Sequence, residues 1–179
     1  DDLCELSSAR VINSKNILAQ IVDVGGWDSK KVRAVDAWVK QIVSNCGDLW
    51  DFMSNGKDFA EFAEAAAIVR EQVWLELCQS SFDIALDGFA AVKKVSTEGH
   101  ANMIRDMEAV QTGLDEIHPC ICPRGLSHID AYIRAARSPP EEMMLWIQDN
   151  YRGYAYRHMH GLAVQTFTSM LSFRESRLR

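Results

Sequence analysis

Residues 88–114 read GFAAVKKVSTEGHANMIRDMEAVQTGL, and their pattern decides the fold. A short polar joint, VSTEGH at 95–100, separates two helical patterns. After it, Met103, Met107, Val110, Leu114 and Ile117 recur at spacings of 4, 3, 4 and 3. That is a heptad-like seam, suited to packing between near-parallel helices. Ser96 or Thr97 is the expected cap, because a hydroxyl can accept from the free N–H groups of a first turn. Gly88 and Gly99 bracket the joint, and Gly88 is a candidate bend.

Upstream, the joint is fed by a long Ala-rich helix expected from Asp58 to Val95. Phe59, Phe62, Ala66, Val69, Val73 and Leu77 form one apolar stripe; Ala63, Ala67, Trp74, Cys78 and Phe82 form a second. Two stripes imply neighbours on more than one side. A first helix is expected over 2–23, stopped by Gly25-Gly26. Asp28 or Ser29 would cap a second helix running to about Met53, on the spacing of Val32, Val35, Val39, Ile42, Val43, Cys46, Leu49, Trp50 and Met53. The run SNGKD at 54–58 reads as a turn.

Downstream, HPCICPRG at 118–125 breaks the chain. A short helix carries Ile129, Tyr132, Ile133 and Ala136. Ser138-Pro139-Pro140-Glu141 then reads as a start signal, with Ser138 at the cap and Pro139 first in the helix. A last helix is expected over 152–173. The fold class is all-α: an elongated, rod-like bundle of antiparallel helices. A soft boundary divides a helical hairpin at 1–54 from a C-terminal bundle at 55–179, the two forming one continuous module.

Composition excludes several functions. The formal net charge of -6 argues against nucleic-acid binding, which needs clustered Lys and Arg. No apolar run is long enough to span a membrane, and DDLCELSSAR is no signal peptide. The chain reads as part of a longer protein, as a C-terminal piece. Five cysteines, at 4, 46, 78, 120 and 122, are an odd number and fit a reducing, cytosolic setting better than a disulfide framework. Cys46 and Cys78 read as small buried apolar residues.

No catalytic or cofactor-binding constellation is expected. There is no nucleophile elbow, no phosphate-cradling glycine loop and no Glu-x-x-His pair to accompany Glu61 and Glu64. His118, Cys120, Cys122 and the nearby His128 are the closest approach to a metal set. Their C-x-C spacing is tighter than a C-x2-C knuckle and no second pair follows, so a plain proline-bounded loop is preferred and no metal site is expected. His158 and His160 fall on opposite helix faces, with a surface or interface role expected for both. Lys93 and Lys94, beside the joint, are the candidate interaction residues, for an acidic partner or an anionic headgroup.

The segment GFAAVKKVSTEGHANMIRDMEAV at 88–110 resembles the C-terminal region of the syndetin family. The family pattern is Gly-Tyr-Ala-x-Val-Lys-Lys-Cys-Ser-x-Glu-Gly-Arg-Ala-x-Met; here Phe89, Val95 and His100 replace its Tyr, Cys and Arg. The resemblance resumes over HIDAYIRAARSPPEEMMLWIQDNYRGYAYRHMHGL at 128–162, through Tyr132-Ile133, Glu141-Glu142, Trp146-Ile147 and Tyr151 or Tyr154. VDVGGWDSKKV at 22–32 is a thinner match.

This resemblance implies a non-enzymatic subunit of a multisubunit vesicle-tethering complex, the endosome-associated recycling protein complex. It implies action in endosomal recycling and endosome-to-Golgi retrograde protein transport, and no cofactor. Implied partners are sister subunits of the complex, with SNAREs and small GTPases as further ones. The implied location is cytoplasmic, peripheral on recycling endosomes and trans-Golgi membranes through the complex. The alternatives are a helical adaptor or small-GTPase effector domain unrelated to tethers, and a metal or thiol enzyme centred on Cys120 and Cys122.

Overall fold

A computed structural model describes residues 12–23, 26–55 and 63–177, with the side chains of 63–66 and 169–177 left aside. Among them are seven helices and no strand: α1 Ser14–Asp23, α2 Ala37–Asn55, α3 Ala63–Ala91, α4 Thr97–Ile117, α5 Leu126–Arg137, α6 Pro140–Asn150 and α7 Tyr156–Arg177. The chain is an all-α helical bundle. Helix α3 is its axis, touching α1, α2, α4, α5 and α7. Of the second expected stripe, Trp74, Cys78 and Phe82 are buried, with Leu77, Leu86 and Phe89; the first stripe is interrupted at Val69, which is 59% exposed. One hydrophobic core runs from Ile12 to Leu162.

Glycines set the closest helix contacts. A Cβ on Gly88 would lie 2.6 Å from Ile21 Cγ2, and one on Gly161 only 2.2 Å from the Ala90 carbonyl oxygen. Gly88 is thus a packing notch for α1, and α3 runs through it uninterrupted. The helix ends at Ala91, earlier than the expected Val95. Gln165 of α7 meets this end: its Nε2 donates to the Val92 carbonyl (2.8 Å) and adds a second bond (2.6 Å) to the Phe89 carbonyl, which also accepts from Val92 N–H at 3.3 Å. Of the expected start, Asp58, Phe59, Glu61 and Phe62 lie outside the described residues, as do Gly25 and residues 1–11.

The second helix differs most from its sequence pattern. It starts at Ala37, not near Asp28, and Val32 is 66% exposed. Residues 31–36 lie along α4, whose side chains satisfy their backbone. Asn102 Oδ1 accepts from Arg33 N–H and Asn102 Nδ2 donates to the Lys31 carbonyl. Asp106 Oδ1 accepts from Asp36 N–H, and Arg105 donates to the Arg33 carbonyl. These partners replace the helical ladder, so periodicity alone misleads here. The helix then continues to Asn55, taking Ser54 and Asn55 out of the expected turn.

Helix α4 follows its pattern closely. Met103, Met107, Val110 and Leu114 are buried, and Ser96 Oγ accepts from Gly99 N–H at 2.9 Å as its N-cap. Ser138 is not the cap of α6. It closes α5, its N–H bonded to the Ala135 carbonyl, and Pro140 occupies the first position of α6. Helix α7 begins at Tyr156, later than the expected 152, because the His158 ring accepts from Ala155 N–H (3.3 Å) and fixes the start there.

Candidate functional site

The loop 118–125 is held at both ends by one helix. From α3, Trp74 Nε1 donates to the His118 carbonyl at 2.8 Å. Five residues on, the Gln79 amide bonds both backbone groups of Arg124, accepting from its N–H (3.0 Å) and donating to its carbonyl (3.1 Å). The Arg124 guanidinium closes on Asp83 at 2.8 and 3.3 Å. Cys78 sits on α3 between these anchors. Pinning the loop over it brings Cys78, Cys120 and Cys122 together, with all three sulfurs within 4.8 Å of one another. Cys120 Sγ and Cys122 Sγ are 3.5 Å apart. Ile121, between them, is 94% exposed. Its side chain faces out while its two neighbours face in.

The three thiols are electrically unequal. Hydrogen bonding from Cys78 lowers the Cys122 thiol to about 7 against the opposing effect of burial, and Cys120 assists. Its partners move the other way. Cys78 is raised by its hydrogen bond to Cys122 and by burial, and Cys120 is raised to about 11 chiefly by burial. The neighbours of Cys122 thus favour its thiolate, while the hydrogen bond to Cys122 and burial disfavour that of Cys78, and burial disfavours that of Cys120. Cys46 stays apart. It is buried beside Ser81 Oγ, at 3.7 Å, and burial raises it to about 11.

The set picked from sequence does not converge. His118 stacks on Trp50 at 4.2 Å and its Nε2 lies 2.8 Å from Glu71. His128 stacks on Tyr154 at 3.9 Å, on another side of α5. Only Cys120 and Cys122 of that set meet, and Cys78 joins them. Sequence reasoning missed Cys78 because it occupies an apolar stripe, where a thiol and a small hydrophobe look alike. The usable signal was Gln79 and Asp83, two polar residues beside that stripe.

Lys93 and Lys94 are exposed on the short link between α3 and α4. The link itself is held firmly. Ser96 N–H donates to the Trp27 carbonyl at 2.8 Å and Ser96 Oγ lies 2.6 Å from the Ser29 carbonyl. Gly99 is required there: a Cβ would fall 1.8 Å from the Trp27 carbonyl oxygen. The two lysines therefore stand on a braced turn.

Two buried polar groups complete the picture. Asp36 and Asp106 face each other near Arg33, with Arg105 close by; burial, then the charge of Asp36, raises the Asp106 carboxyl to about 7. His158 is buried, correcting the surface role expected for it, while His160 is exposed. With its Nδ1 accepting from Ala155, its Nε2–H donates to Asp87 at 2.6 Å. Burial opposes ionisation of Asp87, but His158 and Arg157 outweigh it and hold the carboxyl below its ordinary value.

The family comparison meets this structure across almost its full length. A family model described as Syndetin, C-terminal, matches residues 3–178. The chain belongs to the syndetin C-terminal family. Searches of curated proteins and of solved structures return no match. Membership implies the general role of a tethering-complex subunit, with other subunits of such a complex as partners. The family is not a known enzyme family. No helix among the described residues is long and apolar enough to cross a membrane. Within this syndetin-family chain, the Phe89, Val95 and His100 departures fall where α3 hands over to α4. Phe89 is fully buried, edge-on to Trp27 at 5.5 Å, and His100 is buried with its ring pushed down to about 4 by burial and then by Arg137.

Proposed function

We propose that this chain is the C-terminal docking module of a vesicle-tethering subunit acting in endosomal recycling and endosome-to-Golgi retrograde traffic. The family match over residues 3–178 carries the reading. In it, residues 1–54 and 55–179 work as one continuous module. Binding, with no chemical step, is the mechanism: helix faces dock on sister subunits, and several weak contacts held in one assembly give avidity at a membrane. SNAREs and small GTPases would engage the assembled complex, with the chain peripheral on recycling endosomes and the trans-Golgi.

Exposed apolar side chains on α6 support a docking role. Leu145 is 61% exposed and Met144 46%. Lys93 and Lys94 add a basic spot on a turn that Ser96 holds in place, suited to an acidic partner surface. The test is affinity purification of the full-length protein from cells, with imaging of its location. Co-purifying tethering subunits and endosomal or Golgi decoration are expected; their joint absence would sink the reading. Reversing the charge at both lysines should leave folding intact and weaken subunit association or membrane recruitment. If neither changes, the turn is structural only.

A further inference from the structure

We propose that Cys78, Cys120 and Cys122 bind one zinc ion through three thiolates, with the fourth coordination position facing the cavity between α4 and α5. This site is independent of the trafficking role and stands or falls separately. Tetrahedral zinc with Zn–S bonds of about 2.3 Å places its sulfurs on edges of about 3.8 Å. Here one edge is 3.5 Å and none exceeds 4.8 Å, so closure onto an ion asks for shifts of an ångström or less. Three converging sulfurs select soft or borderline ions such as zinc over calcium or magnesium, which take oxygen.

The arrangement is built, since its ligands come from two elements joined by a clamp. Cys78 is fixed on the central helix, and the loop that carries Cys120 and Cys122 is tied to that helix by Trp74, Gln79 and Asp83. The outward Ile121 leaves both loop thiols turned to the same side. Rigid placement of ligands before binding lowers the ordering cost of capture. Only three such ligands gather among the described residues. A closed structural site has four, whereas three protein ligands leave a position for water or an exchangeable donor. That position has room: Cys120 and Cys122 line a cavity of about 1070 Å³ together with Ile104, Gln111, Asp115 and Leu126. Binding converts the thiols to thiolates and releases their protons to solvent, so affinity falls as pH falls.

The experiment uses the full chain, purified under reducing conditions, stripped with chelator and titrated with cobalt(II) alone. One cobalt per chain is expected, with a sulfur-to-metal charge-transfer band and the visible bands of tetrahedral coordination, all abolished by one equivalent of zinc(II). Cys120→Ser and Cys122→Ser lie in the loop and should each remove about a third of the charge-transfer intensity and weaken binding by more than about tenfold. Cys78→Ser lies in the core and can fail by unfolding, so alkylation of the unaltered chain supplies the second measurement. Zinc should shield Cys78, Cys120 and Cys122, and leave Cys4 and Cys46 reacting as before. Octahedral cobalt bands, binding that survives Cys120→Ser/Cys122→Ser, or equal reactivity with and without zinc would each overturn the proposal. So would the finding that the loop thiols are unavailable because they form a disulfide with each other.

Discussion

The side-chain amide of Gln79 grips the backbone of Arg124 on both of its polar groups, accepting from its N–H at 3.0 Å and donating to its carbonyl at 3.1 Å. A helix thereby treats a loop residue as a strand treats its neighbour. Gln79 is only 8% exposed, so its amide has little access to water.

Gln79→Leu should therefore cost about 2 kcal/mol, since two backbone groups lose their partner while the volume is kept. For a chain of this size that lowers the Tm by about 4–8 °C. Amide exchange at Arg124 should accelerate far more than in the middle of α4. A variant with unchanged exchange there would show that the clamp does not hold the loop.

Two glycines should respond oppositely to alanine. Gly99→Ala places a Cβ against backbone oxygen, which cannot rotate away, and separates α4 from the 26–30 segment. A loss of about 3 kcal/mol is expected. Gly47→Ala meets only Ile117 Cδ1 at 3.5 Å, an ordinary contact. In a helix interior it should gain about 0.5–1 kcal/mol. Urea denaturation of both variants checks the pair, and equal effects would contradict the close approach at Trp27.

Ser96 does two jobs, capping α4 through Gly99 N–H and holding Ser29 through its own hydroxyl proton. Ser96→Ala should cost about 1–2 kcal/mol, while Thr97→Ala, at an exposed first-turn position, should change stability by less than about 0.5 kcal/mol. The reverse order in thermal melts would reassign the cap.

The Asp106 carboxyl titrates near 7 in the folded chain, against about 3.9 unfolded. Between those values the folded state binds more protons than the unfolded state. Stability from this group therefore falls as pH rises from about 4 to about 7, and is level above. Asp87 moves the other way only below this window, whereas His100, pushed down to about 4, adds stability as pH rises inside it, so the slope of Asp106 is read as the difference between variant and parent. Asp106→Asn keeps an oxygen for Asp36 N–H and removes the charge. Relative to the parent it should gain stability as pH rises through this window and be more stable than the parent at pH 8. Equal slopes in parent and variant, measured by denaturation from pH 5 to 8, would refute the assignment.

Local signals in the sequence located α4 and its cap because everything needed lies within one turn or one seam. Met103, Met107, Val110 and Leu114 share a face whatever surrounds them. The valines at 32 and 35 carry the same spacing, yet their segment is not helical, because Asn102, Arg105 and Asp106 supply its hydrogen bonds from about 70 residues away. No local pattern encodes that. The cysteine loop shows the same division. Cys120 and Cys122 are conspicuous as neighbours in the chain, whereas Cys78 is hidden in a stripe whose inward face only the packed bundle reveals. The histidines drew attention by proximity in sequence, and aromatic stacking on Trp50 and Tyr154 claims them instead.

Gln165 completes the end of α3 from the far end of the chain, and that has a consequence in time. The carbonyl of Val92 waits for a residue synthesised more than seventy positions later. On the ribosome, the central helix is made early but stays open at one end until α7 emerges and docks. Contacts this distant in sequence form slowly, and an exposed helix end beside an apolar surface invites chaperone capture in the interval. A nascent chain should therefore resist protease at the end of α3 only after Gln165 has left the exit tunnel.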